Sequence, residues 1–203
     1  MTSLCIGDSH INRFKAFVGK SLSSNVYNIS SLQDVQYYGV SGGRVSKKEH
    51  LTLFHSAIHR FRPSHVIVVI GGNDLDSAEP DFDMNCVVFR LVTFLTQIKN
   101  FYHLRSVTVL SIFHRTCTRH VSLETFHQRL QMANQILKEQ CLIHSITHWK
   151  LRWFAASRKP ILCDGVHLNT LGQYKLLRQL HGVFLHHLWL FLVSYEDRGF
   201  WLW

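Results

Sequence analysis

The stretch HVIVVIGG, residues 65–72, contains five consecutive β-branched residues and ends in two glycines. A run of this kind, without polar residues at alternate positions, is typical of a strand buried on both faces of a parallel sheet. Other apolar runs occur at SLCI (3–6), VQYYG (35–39), SVTVLSIF (106–113) and, more weakly, CLIHSIT (141–147). The sequence therefore predicts five strands.

Segments with apolar residues at helical spacing lie between and after these strands. Helices are predicted at residues 10–18, 50–61, 85–101, 122–140 and 170 to about 187. Alternation of strand and helix is typical of an α/β fold with a parallel sheet. We therefore expect an α/β protein with a mostly parallel five-stranded sheet.

The composition is that of a globular protein with one domain. Of the 203 residues, 46% are hydrophobic and 17% are charged, which excludes a disordered chain. No internal repeat and no proline- or glycine-rich linker divides the sequence. We expect the domain to span residues 1–187, followed by an aromatic C-terminal tail at residues 188–203.

The charge balance is basic, with 22 Lys and Arg residues against 13 Asp and Glu and a formal net charge of +9. The basic residues are scattered, and no block of five or six like charges is present. This charge is compatible with nucleic acid, an anionic membrane or an acidic substrate as a partner, and it selects none of them.

Cysteine usage and the two ends of the sequence indicate where the protein is expected to reside. The five cysteines form no CxxC pair, and no signal peptide precedes the first strand. The apolar stretch VFLHHLWLFLV (183–193) contains two histidines and is too short to span a bilayer. We therefore expect a reduced, intracellular protein, located in the cytoplasm, with no transmembrane segment.

Four polar or glycine-rich segments follow predicted strands or precede the last helix. They are GDS (7–9), GVSGG (39–43), GGND (71–74) and CDGVHLN (163–169). In open α/β sheets, ligands bind beyond the carboxyl ends of the strands. The sequence therefore predicts that the four segments meet at one rim of the sheet.

These segments hold the parts that a serine nucleophile requires: a base, a group that orients the base, and donors for an oxyanion. Ser9 is the candidate nucleophile and His167 the candidate base, with Asp164 three residues before it as the orienting acid. The candidate oxyanion donors are the backbone N–H groups of Ser9 and Gly42 and the side-chain amide of Asn73.

The four segments resemble, in order, the four sequence blocks of the SGNH (GDSL) hydrolase superfamily, over about residues 3–185. The resemblance implies a three-layer α/β/α, flavodoxin-like fold and hydrolysis of carboxylic esters. It implies a nucleophile at Ser9, oxyanion donors at Ser9, Gly42 and Asn73, and the acid and base at Asp164 and His167. More narrowly, GDSHINRF (7–14) and DGVHLNTLGQYKLL (164–177) are similar to SGNH domains associated with LINE-type retrotransposons and related animal genes.

One position departs from the family pattern. The residue after the nucleophile is commonly leucine or another apolar residue in this superfamily, and here it is His10. We expect His10 either to contact the substrate or to face solvent.

A second serine offers a different nucleophile. Ser41 in GVSGG matches the G-x-S-x-G nucleophile elbow, and Asp164 and His167 follow it in the required order. That hypothesis needs a longer chain and leaves the GDS and GGND segments unexplained.

Metal and cofactor sites are not expected. His55 and His59 have helical spacing but lack the glutamate of an HExxH motif, and Asp74 and Asp76 are expected to serve the turn after Asn73.

The resulting expectation is a serine esterase without cofactors that acts on a small-molecule or lipid-like ester. The loops at 74–84 and 114–121 are expected to set its specificity. The alternative hypothesis is an SGNH-like module with weak or no turnover, which binds RNA or an acidic partner through its basic surface.

Overall fold

The core of the protein is a five-stranded parallel sheet. A computed structural model describes residues 2–21, 34–152 and 161–196. The strands are β1 (Thr2–Gly7), β2 (Asp34–Gly39), β3 (His65–Val69), β4 (Ser106–Leu110) and β5 (Thr147–Trp149). Their spatial order is β2-β1-β3-β4-β5, and all neighbouring pairs are parallel. The prediction of an α/β fold with a parallel five-stranded sheet is confirmed.

Helices cover both faces of the sheet. They are α1 (Ser9–Ser21), α2 (Lys48–Phe61), α3 (Gly72–Leu75), α4 (Met84–Phe101), α5 (Leu123–Ile143) and α6 (Thr170–Glu196). One face packs against α2, α4 and α5, and the other against α1 and α6. The three layers and the strand order are those of a flavodoxin-like fold.

The burial of strand β3 explains why apolar and polar residues do not alternate in its sequence. All five of its residues are buried. Val66 and Val68 pack into the core under α2, α4 and α5, whereas Ile67 and Val69 pack under α1 and α6. Because successive side chains point to opposite faces, a strand covered on both faces needs an apolar residue at every position.

The prediction of a strand at residues 141–147 is wrong over most of its length. Residues 141–143 form the last turn of α5, and β5 begins only at Thr147. Cys141 continues the buried stripe of that helix at intervals of four residues after Ala133 and Leu137. The apolar pair that follows Cys141 is exposed, so this run belongs to a helix surface rather than to a buried strand.

Three element ends also differ from the prediction. Strands β3 and β4 end at Val69 and Leu110, so the residues that follow them are available for the rim loops. Helix α6 continues past residue 187 to Glu196. Residues 197–203 lie outside the described residues, and the division of the chain at residue 187 stays a prediction. Within the described ranges, none of the helices is both long and apolar enough to cross a membrane.

Candidate active site

The four polar segments lie together at the carboxyl ends of the strands. Ser9 is the first residue of α1, directly after β1, and Gly42 lies in the turn after β2. Asn73 is in α3 after β3, and His167 is on the loop that precedes α6. These four residues line one cleft of about 390 Å³, which we call the Ser9 cleft.

Ser9, His167 and Asp164 form a continuous hydrogen-bonded chain. The Oγ atom of Ser9 is 3.0 Å from Nε2 of His167. Nδ1 of the same ring is 2.7 Å from Oδ2 of Asp164. A carboxylate can only accept, so Nδ1 carries the hydrogen, and in the neutral ring Nε2 is then the acceptor that faces the serine hydroxyl. This is the tautomer that can remove a proton from a serine.

The loop around Asp164 holds its carboxylate in the ionised form. Its Oδ1 atom accepts hydrogen bonds from the backbone N–H groups of Val166 at 3.0 Å and His167 at 2.7 Å. Burial acts to raise the pKa of Asp164, but the backbone and ring hydrogen bonds from His167 outweigh it and hold that pKa well below its usual value. Asp164 therefore stays charged and fixes the orientation of the imidazole over the neutral pH range.

Two residues that line the cleft, Ser9 and Gly42, have backbone N–H groups that are free to donate. Within the described residues, neither the Ser9 N–H nor the Gly42 N–H has a hydrogen-bond acceptor. Gly42 has a φ of 67°, in the left-handed region that glycine adopts without steric cost. The turn is closed next to it by a hydrogen bond of 2.9 Å from the Gly43 N–H to the Val40 carbonyl.

The Asn73 amide is held in one orientation by its neighbours. Its Nδ2 atom donates to the Gly43 carbonyl at 3.1 Å, and its Oδ1 atom accepts from Arg115 at 2.9 Å. Because a guanidinium can only donate hydrogen bonds, the amide atom of Asn73 that faces Arg115 is the oxygen, and the NH₂ group lies on the opposite side. The second N–H of that group is not used by Gly43.

Arg115 is a buried residue that orders this wall of the cleft, although sequence analysis gave it no role. Its side chain is 3% exposed and pairs with Asp76 at 3.5 Å in addition to its bond to Asn73. Burial lowers its pKa, and the carboxylates of Asp8 and Asp76 oppose that effect. The helix-free loop around Arg115 gives no periodic pattern from which this contact could be predicted.

The expectation that Asp74 and Asp76 serve the turn after Asn73 is wrong. Asp74 accepts hydrogen bonds from the backbone of Val45 and Ser46, at 3.1 and 3.0 Å, on the loop that carries Gly42. Asp76 accepts at 3.0 Å from the backbone N–H groups of the residue pair 119–120. Both carboxylates are buried, where their charges require such donors, so they tie neighbouring loops to α3.

His10 is buried behind the cleft wall, so the expectation that it faces solvent is wrong, and the expectation that it contacts the substrate stays a prediction. It is 2% exposed and stacks on Phe113, with ring centroids 4.7 Å apart. Its Nδ1 is 2.8 Å from Oδ1 of Asp8, and its Nε2 is 3.1 Å from the Val166 carbonyl. Both partners are acceptors, so each of these bonds forms through a ring nitrogen that carries a hydrogen. His10 thereby links the loop after β1 to the loop of His167.

Ser41 has a different environment from Ser9. It lies on an exposed turn of the Ser9 cleft wall, and within the described residues no hydrogen bond to a histidine is present. The segment after it continues as a loop until α2 begins at Lys48, whereas a nucleophile elbow leads from a strand directly into a helix. Among the described residues, no group of three His, Cys, Asp or Glu side chains could hold a metal ion.

The Ser9 cleft is also lined by four arginines, a feature that sequence analysis missed because it treated the basic residues as scattered. They are Arg13, Arg44, Arg115 and Arg119. Arg13 lies one helical turn after Ser9, and Arg44 lies two residues after Gly42. Their closeness to the predicted motif residues is the pattern that could have identified them.

The chain was compared with models of protein families and with curated proteins. A model described as the GDSL-like Lipase/Acylhydrolase family matches residues 5–175. None of the curated proteins compared with this chain matches it.

Several solved structures share the fold. A GDSL-like lipase from Bacteroides thetaiotaomicron is similar with a TM-score of 0.71 and 12% identity, over 90% of this chain and 86% of that chain. A putative acylhydrolase from Bacteroides fragilis has a TM-score of 0.70 and 14% identity, over 91% of this chain and 88% of that chain. An acetylxylan esterase from Geobacillus stearothermophilus has a TM-score of 0.64 and 15% identity, over 88% of this chain and 91% of that chain. At these identities the similarity is evidence for the fold alone.

Proposed function

This chain belongs to the GDSL-like lipase/acylhydrolase family and is an esterase of the SGNH type, and we propose that it hydrolyses carboxylic esters through Ser9, His167 and Asp164. The family match over residues 5–175 confirms the resemblance of the chain to SGNH (GDSL) hydrolases. The observation that carries the proposal is the hydrogen-bonded chain from Ser9 to Asp164, with unused N–H donors in the same cleft.

The proposed reaction has two steps. In the first, Ser9 Oγ attacks the acyl carbonyl while Nε2 of His167 takes the hydroxyl proton, and Asp164 stabilises the imidazolium that forms. The alcohol leaves with that proton, and an acyl-enzyme remains on Ser9. In the second step, His167 removes a proton from water, the water attacks the acyl carbon, and the carboxylic acid is released as Ser9 regains its proton.

The oxyanion of each tetrahedral intermediate requires donors that are in place before the reaction. The backbone N–H groups of Ser9 and Gly42 supply two in this proposal, and the second N–H of the Asn73 amide supplies the third. Arg115 contributes indirectly, since it fixes the orientation of that amide.

The proposed substrate is a small-molecule ester with a short acyl group such as acetyl. An acetylxylan esterase is among the proteins with a similar fold, and a cleft of about 390 Å³ is at the small end of the range for ligand pockets. A lipid-like ester remains the second substrate class. The cytoplasmic location, the oligomeric state and any partner stay predictions.

The experiment that tests the proposed function is hydrolysis of p-nitrophenyl acetate, butyrate and octanoate by the purified protein. Ser9→Ala and Ser41→Ala serve as a matched pair, because both serines line the same cleft. We expect activity on the short esters that is lost in Ser9→Ala and retained in Ser41→Ala. Loss of activity only in Ser41→Ala would instead favour the nucleophile elbow.

The binding-module hypothesis predicts a different outcome. A folded wild-type protein that hydrolyses none of the three esters and binds RNA with a steep dependence on salt would support it.

A further inference from the structure

The charges around the Ser9 cleft are unbalanced. Four guanidinium groups line it, whereas Asp76 is its only lining carboxylate among the described residues. Asp76 already pairs with Arg115, and it accepts hydrogen bonds from two backbone N–H groups of the loop at 119–120. The cleft therefore has an excess of positive charge beside the proposed nucleophile.

Two of the four arginines have protein partners. Arg115 is buried and engaged by Asn73 and Asp76. Arg13 lies 3.9 Å from the carboxylate of Asp164. These two guanidinium groups are held by the groups that build the site, so they are not the best candidates for binding an added ligand.

Arg44 and Arg119 differ from that pair. Within the described residues, neither side chain forms an ion pair or a hydrogen bond, although Asp74 is near enough to Arg44 for the Arg44 charge to act on its pKa. Both charges also act on Arg115, whose pKa they help to lower. Arg44 and Arg119 therefore line the same cleft as Arg115, and within the described residues neither has an ion-pair partner.

We propose that the substrate of this esterase is an anionic ester, whose carboxylate or phosphate group is bound by Arg44 and Arg119 while Ser9 attacks the acyl carbonyl. The proposal rests on the proposed esterase function. An anion between these side chains relieves the repulsion among the guanidinium groups and matches their forked donor geometry. It also gives the loops after β2 and β4 a role in selecting the substrate.

The proposal is tested with two esters that differ only in the anionic group, p-nitrophenyl hexanoate and mono-p-nitrophenyl adipate. They have the same leaving group and the same acyl chain length. We expect kcat/KM to be about tenfold higher for the adipate ester, the effect of one charged hydrogen bond. This preference is expected to shrink as ionic strength rises from about 0.05 M to about 0.5 M.

Arg44→Gln and Arg119→Gln are each expected to remove most of that preference, because kcat/KM falls further for the adipate ester than for the hexanoate ester. Arg90→Gln is the matched control, because Arg90 is an exposed arginine on α4 outside the Ser9 cleft. It makes the same change in net charge, and we expect it to retain the full preference.

Calorimetric titration with inorganic phosphate and with acetate tests binding without relying on turnover. The wild type is expected to bind at least one of these anions, about tenfold more tightly than Arg44→Gln or Arg119→Gln does. Tighter binding of phosphate indicates a carboxylic ester that carries a phosphate group, and tighter binding of acetate indicates one that carries a carboxylate.

Two results would overturn the proposal. One is equal or lower kcat/KM for the adipate ester with both esters hydrolysed, which leaves the esterase function standing. The other is anion binding that is the same in the wild type and in both arginine variants. Absence of hydrolysis of both esters and of p-nitrophenyl acetate would count against the esterase function, and the titration would still decide whether the two arginines bind anions.

Discussion

Replacement of His10 by leucine, the residue that commonly follows the nucleophile in SGNH enzymes, tests how this chain accommodates a histidine there. His10 is buried between the Asp8 carboxylate and the Val166 carbonyl. Burial acts to raise the pKa of Asp8, and the charge and hydrogen bonds of His10 outweigh it and lower that pKa. His10→Leu therefore leaves a buried carboxylate without its main partner.

The cost can be worked from those contacts. Removing one partner of a buried ion pair costs about 3–5 kcal/mol. The leucine buries apolar surface beside Phe113 and regains about 1–2 kcal/mol. Asp8 also keeps a hydrogen bond of 2.9 Å from the backbone N–H of residue 10. We therefore expect His10→Leu to lower the free energy of unfolding by about 2 kcal/mol.

Urea unfolding at neutral pH, followed by circular dichroism, measures this loss. Asp8→Asn combined with His10→Leu provides the critical comparison, because it removes the buried charge that the single variant leaves unpaired. The double variant is expected to be more stable than His10→Leu by about 1 kcal/mol. A single variant as stable as the wild type, or a double variant less stable than the single one, would refute the assignment of His10 as the group that stabilises the buried Asp8 carboxylate.

Three further predictions concern the cleft wall and the core. Asn73→Ala should lower kcat about 100- to 1,000-fold on p-nitrophenyl acetate, and an unchanged kcat would exclude Asn73 as an oxyanion donor. Asp76→Asn should lower the free energy of unfolding by about 2 kcal/mol or more, measured by urea unfolding, because Arg115 loses its buried partner. Burial lowers the pKa of His65 to about 4 and that of His187 to about 3. Between about pH 6.5 and 4 the unfolded chain then binds more protons than the folded one. The free energy of unfolding should therefore decrease as the pH is lowered, by up to ~1.4 kcal/mol per pH unit for each histidine. Urea unfolding at several pH values should give a shallower slope of the free energy of unfolding against pH for His187→Leu than for the wild type. Equal slopes would contradict the prediction.

Most of the fold was predictable because short apolar runs in the sequence mark its strands. The run at 66–70 has no alternation, and β3 is indeed buried on both faces. The failure at 141–143 has a physical reason, since a short apolar run is compatible with both a strand and the end of a helix. Only the contact of Cys141 with the core under α5 distinguishes the two.

The site was predictable where chemistry depends on residue type and on the ends of strands. The loops of Ser9, Gly42 and Asn73 each follow a strand, so parallel pairing brings them to one rim. The roles of Arg115 and His10 depend instead on contacts across more than forty residues of sequence, with Asn73 and Val166. No local pattern encodes such contacts.

The central claim is that Ser9 is the nucleophile, activated by His167. The most direct measurement is mass spectrometry of the protein after reaction with a fluorophosphonate, with the modified residue located by peptide mapping. The account predicts one adduct, on Ser9, formed in the wild type and strongly reduced in His167→Ala. An adduct on Ser41, or labelling of Ser9 that is unaffected by His167→Ala, would contradict it.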